Sequence, residues 1–153
     1  MELTRITESF QQSTSDFLLV AEAVAEHELD INDVEGWSPR QIIHHVADSE
    51  AQAYARLRRL LAEPGTQIQG YDEGIWAQCE TLGYKELPVA QSLAVFCAVR
   101  EATLTILGRI SMEESQNKGV HSESGDYGVL DWIKIYTKHP IDHAQQILNA
   151  LRR

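Results

Sequence analysis

Two histidines stand four residues apart in the stretch YTKHPIDHAQQIL, residues 136 to 148. A helix turns once per 3.6 residues, so His139 and His143 share one face. That face is apolar: Trp132, Ile135 or Tyr136, His139, His143, Ile147 and Ala150 or Leu151 are successive steps of a single stripe. Imidazoles on a core-facing stripe need partners, because an unpartnered polar group in an apolar interior costs roughly 1 to 3 kcal/mol. Hydrogen bonding to neighbouring backbone or side chains would meet that need. A third histidine, His45, favours another answer, since it lies between Ile42 and Ser49 on the flank of a second apolar face. Three imidazoles from two helices make a facial ligand set with positions left open, as catalytic zinc and related divalent sites require.

The spacing also excludes neighbouring chemistries. A zinc peptidase of the HExxH kind carries glutamate directly after its first histidine, and here that position is Pro140. A di-iron bundle needs Glu-x-x-His pairs, and none of the six histidines has glutamate three residues before it. A mononuclear site remains. Pro140 also deletes the helical hydrogen bond to the Tyr136 carbonyl, which costs about 3 kcal/mol in a helix interior. It predicts either a kink beside the ligands or a helix restarting with Pro140 in its first turn.

Four helical segments must position these residues. In the first, Leu3, Ile6, Phe10, Phe17, Val20 or Ala21, and Val24 recur at helical spacing, and the helix should end before Asp30. The stretch LDINDVEGW reads as a connection. The second opens with Ser38 as N-cap, Pro39 at the first helical position and Gln41 at the capping-box position, and ends at Pro64 and Gly65. Ile42, Val46, Ser49, Ala53, Leu57 and Leu60 form its inward face. The third is predicted from Pro88 to about Ile110, with Arg100 close to its apolar face. The fourth begins near Asp126 to Val129 and runs to the C-terminus, after a polar loop, SMEESQNKGVHSESGDYG.

Without strand-like alternation, four such helices specify an all-α four-helix bundle, one domain over residues 1–153. The long connection is the one between the second and third helices, which predicts that these two run parallel. Residues 65 to 87 lose the helical period over a length that compact domains seldom leave as mere connection, and such loops often cover a site. Tyr71 and Trp76 are placed to anchor a short helical turn there, as a lid or as a packed crossover.

Composition limits the partners. With 23 acidic against 13 basic residues the net charge is −10, which argues against nucleic acid or an anionic membrane surface. Arg56, Arg58 and Arg59 read as a solvated helix face. Cys79 and Cys97 form no CxxC and no disulfide framework, and the opening MELTRITESF has no secretory pattern, so a cytoplasmic protein in a reducing compartment is expected.

Three stretches, GWSPRQIIHHVADSE, YDEGIW and HPIDHAQQI, together resemble the DinB-like superfamily, most closely its YfiT-like branch. Each is weak alone, but the three lie in matching order over nearly the whole chain. The resemblance implies a four-helix bundle, commonly a homodimer, that holds a divalent metal through His45, His139 and His143, with zinc or nickel as the leading candidates. His44 would be an adjacent non-ligand, and Pro140 departs from the YfiT-like pattern.

Relatives in the superfamily include thiol S-transferases using bacillithiol, mycothiol or glutathione, and YfiT-like proteins have been labelled metal-dependent hydrolases. The leading expectation is therefore transfer of a low-molecular-weight thiol to a small-molecule electrophile. Arg100 is then a candidate for binding a carboxylate of the thiol, and Asp48 and Asp142 are candidates to support the ligand rings. The second reading is hydrolysis by metal-activated water, with Glu73 or Asp72 on the long loop as the first residues to try as base. The third is a non-catalytic dimeric module that binds metal or a small molecule.

Overall fold

The computed structural model describes residues 3–32 and 36–152. The side chain of Leu3, the middle of the predicted LDINDVEGW connection and the last residue of the fourth predicted helix lie outside the described residues. The helices are α1 (Leu3–Glu22), α2 (Pro39–Ala62), a short α3 (Glu73–Gln78), α4 (Ala90–Leu107) and α5 (Val129–Ala150). α2 starts where the local chemistry says it must. The Ser38 side chain accepts from Gln41 N while Gln41 Oε1 accepts from Ser38 N, and Pro39 takes the first turn.

Side-chain contacts set the directions of the long helices. His44 meets Ser92 and Glu50 meets Arg100, so α2 and α4 run parallel, as the long crossover between them predicts. His45 meets His143 and Arg56 meets Tyr136, so α2 and α5 run antiparallel. Phe17 packs on Phe96 while Phe10 O accepts from Arg100, so α1 and α4 are antiparallel.

The core is two apolar clusters with a polar layer between them. Phe10, Leu57, Leu60 and Trp132 lie in one; Phe17, Ile42, Val46, Phe96 and Ile147 lie in the other. Burying each such side chain contributes roughly 1.5 to 3 kcal/mol. Between Phe10 and Phe17 on α1 stand Ser13 and Thr14, and Glu50 separates Val46 from Ala53 on α2. Arg100 and the α5 histidines complete the layer.

A small three-stranded sheet is the departure from the expected strandless fold. β1 (Gln67–Ile68) lies in the crossover and pairs parallel with β2 (Lys118–His121), which forms an antiparallel hairpin with β3 (Gly125–Gly128). The segment read as a polar loop before α5 thus becomes a hairpin that fastens the crossover. Val120 N donates to Thr66 O and Gly70 N donates to the Ser122 hydroxyl. Gly119 is required at this seam, since a Cβ there would fall 2.5 Å from Thr66 O. The far end of the crossover is held to α2, where the Tyr84 hydroxyl donates to Asp48 at 2.6 Å and Leu87 O accepts from Arg40 and His44. Arg56, read as solvated, in fact donates to Gln69 O and the Tyr136 hydroxyl.

α4 is long and apolar enough to cross a membrane by length and composition alone, with a mean hydropathy of 1.3. It carries Arg100 and Glu101 and packs between α1 and α2 as a bundle helix.

Candidate metal centre

α5 runs unbroken through Pro140, so of the two expected outcomes, a kink or a restart, the restart does not occur. His139 and His143 therefore lie one turn apart on its inner face, opposite His45 of α2. The three rings meet through Nε2: His143 Nε2 is 3.1 Å from His45 Nε2 and 3.1 Å from His139 Nε2. The three candidate ligand atoms all fall within 4.8 Å of one another. A metal with nitrogens at 2.0 to 2.1 Å would place neighbouring nitrogens about 2.9 Å apart in octahedral and about 3.4 Å in tetrahedral geometry, and the two spacings that His143 makes, both 3.1 Å, lie between.

The outer nitrogens test whether a metal fits. His143 Nδ1 is 2.7 Å from Gln146 Oε1, an acceptor, which puts the ring proton on Nδ1 and the lone pair on Nε2. His139 Nδ1 is 3.6 Å from Glu50 Oε1, and the carboxylate favours the same tautomer. Two lone pairs then face each other at 3.1 Å inside a buried cluster, which is repulsive unless an electrophile lies between them. Burial first, then repulsion from His143 and His139, pushes His45 down to about 3. Burial and His139 push His143 down to about 4, with Gln146 opposing. Both rings are neutral at physiological pH, the form that ligates metal. The donor set fits a divalent ion.

Glu73, at the first turn of α3, extends over this cluster. Its Oε2 lies 3.8 Å from His45 Nε2, and its side chain is 53% exposed. Asp72 caps α3 by accepting from Ile75 N, and the Tyr71 and Trp76 rings pack on each other at 4.6 Å. The short helical turn expected here is present, and it holds Glu73 at the open side of the histidines. The Trp37 ring lies 4.9 Å from that of His45.

Other expected residues lie elsewhere. His44 is engaged away from the cluster, with Ser92 Oγ at 2.7 Å from Nδ1 and Leu87 O at 3.0 Å from Nε2. Asp48 accepts from Tyr84 and Asp142 pairs with Lys138 on the surface, so neither supports one of the three imidazoles; Gln146 accepts at His143 Nδ1, and Glu50 faces His139 Nδ1 at 3.6 Å. Arg100 has no donor left for a thiol's carboxylate. Its Nε donates to Thr14 Oγ1 at 2.8 Å, Nη1 to Tyr136 O at 2.7 Å and to Glu50 at 3.3 Å, and Nη2 to Phe10 O at 2.8 Å and Ser13 Oγ at 2.7 Å. It is 1% exposed, so its head is buried as well as its stem. Glu50 and Gln146 escaped notice because burial and ring contact, not residue type, mark them out. An apolar groove of about 750 Å³ lined by Ile6, Leu130, Ile133 and Ile141 includes none of the three histidines.

Comparison with known proteins gives the family of the chain. The sequence signature of the DinB superfamily matches residues 9–147. A protein of Oceanobacillus iheyensis named "Putative metal-dependent hydrolase" is 35% identical over 118 residues, covering 77% of this chain and 67% of that protein. One of the same name from Bacillus cereus (strain 03BB102) is 30% identical over 120 residues, covering 78% and 68%. Among solved structures, YfiT from Bacillus subtilis superimposes with a TM-score of 0.89 at 21% identity, over 99% of this chain and 87% of that one. YfiT is described as a probable metal-dependent hydrolase with an unusual four-helix bundle topology, and the likeness extends to the fold.

Proposed function

This chain belongs to the DinB superfamily, and on that premise we propose that it is a metal-dependent hydrolase of small molecules, with Glu73 as general base. The observation that carries this reading is the Glu73 carboxylate standing 3.8 Å from His45 Nε2, at the open side of three converging imidazoles. The hydrolase names of the curated relatives support it.

His45, His139 and His143 would hold a divalent ion, zinc or nickel, through Nε2. Such an ion supplies a Lewis acid and brings the pKa of a water at an open position down to about 7. Gln146 accepts from His143 Nδ1, and the Glu50 carboxylate faces His139 Nδ1 at 3.6 Å, so both favour a proton on Nδ1 and a free lone pair on Nε2. Glu73 takes the proton of the attacking water at Oε2 and returns it to the leaving group. Its partial exposure leaves room for a substrate to enter beside it, while Trp37 walls the site next to His45.

Thiol transfer, ranked first on sequence, uses the same three imidazoles. It ranks second here because Arg100, its intended anchor for the thiol's carboxylate, has all its donors engaged. A homodimer and a cytoplasmic location remain part of the proposal, and the two free cysteines are in keeping with a reducing compartment. The test is a panel of activated esters and amides beside a panel of low-molecular-weight thiols with an electrophile. Ester or amide turnover that Glu73→Gln lowers at least 100-fold with metal retained supports the hydrolase. Turnover confined to the thiol panel replaces it with transfer, and metal binding without turnover in either panel leaves the binding module.

A further inference from the structure

We propose that Glu50 and Arg100 are positioning residues for His139, and that Pro140 belongs to the same device by opening the carbonyl on which Arg100 rests. This rests on the metal-dependent reading above and assigns a role to residues that touch neither metal nor substrate.

Glu50 is the starting point. It is 2% exposed, and a buried carboxylate needs several good donors to offset its lost hydration. Its charged partner, Arg100 Nη1, lies 3.4 and 3.3 Å from its two oxygens, longer than the usual 2.7 to 2.9 Å of a charge-assisted hydrogen bond. His139 Nδ1 faces it at 3.6 Å and has no hydrogen-bond partner among the described residues. Two under-satisfied buried groups thus point at each other. An imidazole whose Nε2 lone pair is given to a cation becomes a stronger donor at Nδ1, and a carboxylate there fixes the ring's orientation and tautomer. Glu50 is therefore completed by the state in which His139 is a ligand.

Arg100 fixes Glu50 in turn. From α4 its guanidinium reaches Phe10 O, Ser13 and Thr14 on α1, Glu50 on α2 and Tyr136 O on α5, so one side chain ties four helices at the level of the histidines. It also lies 3.4 Å over the Phe10 ring. The Tyr136 carbonyl is available because residue 140, which would donate to it in a regular helix, is proline. The proline that interrupts the hydrogen-bond ladder beside His139 thereby supplies the α5 end of the tie.

The test compares Zn(II) affinity, by competition with a chromophoric chelator, in the wild type, Glu50→Gln, Arg100→Lys and Phe17→Leu. Phe17→Leu loosens the same bundle without touching these contacts. The His139 tautomer is read in metal-free protein by long-range 1H–15N correlation. Glu50→Gln and Arg100→Lys should weaken zinc binding about 10- to 100-fold and mix the His139 tautomers. Phe17→Leu should leave both unchanged while lowering heat stability. Wild-type affinity and tautomer in a folded Glu50→Gln would overturn the proposal and leave the metal reading standing. A wild type that binds no zinc or nickel would overturn the metal reading itself, and the tautomer would still report on the Glu50–His139 contact. Should Arg100→Lys not fold, Thr14→Val removes one hold on the guanidinium and should shift affinity in the same direction, with no shift counting against the proposal.

Discussion

The Tyr136 carbonyl accepts from Arg100 Nη1 at 2.7 Å, in the place where Pro140 withholds the helical donor. An interior proline normally costs a helix about 3 kcal/mol relative to alanine. Here the freed carbonyl is satisfied by a charged donor, so part of that cost is already offset. Pro140→Ala should stabilise the protein by well under 3 kcal/mol, as measured by denaturant unfolding. A gain of the full amount would show that the Arg100 contact contributes nothing.

Glu73→Gln separates base from ligand. The amide keeps the size of the side chain but cannot take a proton, so hydrolysis should fall 10²- to 10⁴-fold while metal content stays at the wild-type level. Loss of metal in the variant would instead make Glu73 a fourth ligand, and an unchanged rate would remove it from the mechanism.

Acid should destabilise the metal-free protein through its histidines. The folded state holds His45 at about 3 and His143 at about 4, against about 6.5 in an unfolded chain. With the folded pKa below the unfolded one, protons bind the unfolded chain preferentially. Stability is therefore full above pH 6.5 and is lost as the pH falls from there toward 4 and then 3. Denaturant midpoints in EDTA should begin to drop near pH 6.5, and His45→Gln with His143→Gln should reduce that slope. The same slope in the double variant would contradict the assignment.

The crossover is fastened at both ends, and one fastening is easily tested. Tyr84 is 2% exposed and its hydroxyl donates to Asp48. Tyr84→Phe leaves that partly buried carboxylate without its donor and should cost about 1 to 3 kcal/mol. Heat denaturation compared with the wild type measures it, and an unchanged midpoint would mean that water replaces the tyrosine.

The convergence of the three histidines and the four helices were legible because both follow helical spacing: HPIDH puts two rings on one stripe, and Ser38, Pro39 and Gln41 mark a start that needs no tertiary partner. The sheet was not legible, since Gln67–Ile68 is too short to alternate and Gly125–Gly128 is half glycine. Arg100 was read as a candidate anchor for a thiol's carboxylate because an arginine beside an apolar face ordinarily keeps its head accessible. The signal against that was on another helix, where Ser13 and Thr14 interrupt the stripe between Phe10 and Phe17 and supply two of the guanidinium's acceptors. Glu50 is one carboxylate among many in an acidic chain, and only the convergence of α2, α4 and α5 singles it out.

His45, His139 and His143 are expected to hold one divalent ion. Elemental mass spectrometry on untagged protein purified without chelator tests it most directly, beside His45→Ala and His143→Ala. The expected result is close to one equivalent of zinc or nickel per chain in the wild type, lost in both variants. Metal-free wild type after reconstitution with either ion would contradict it and make the three rings core groups.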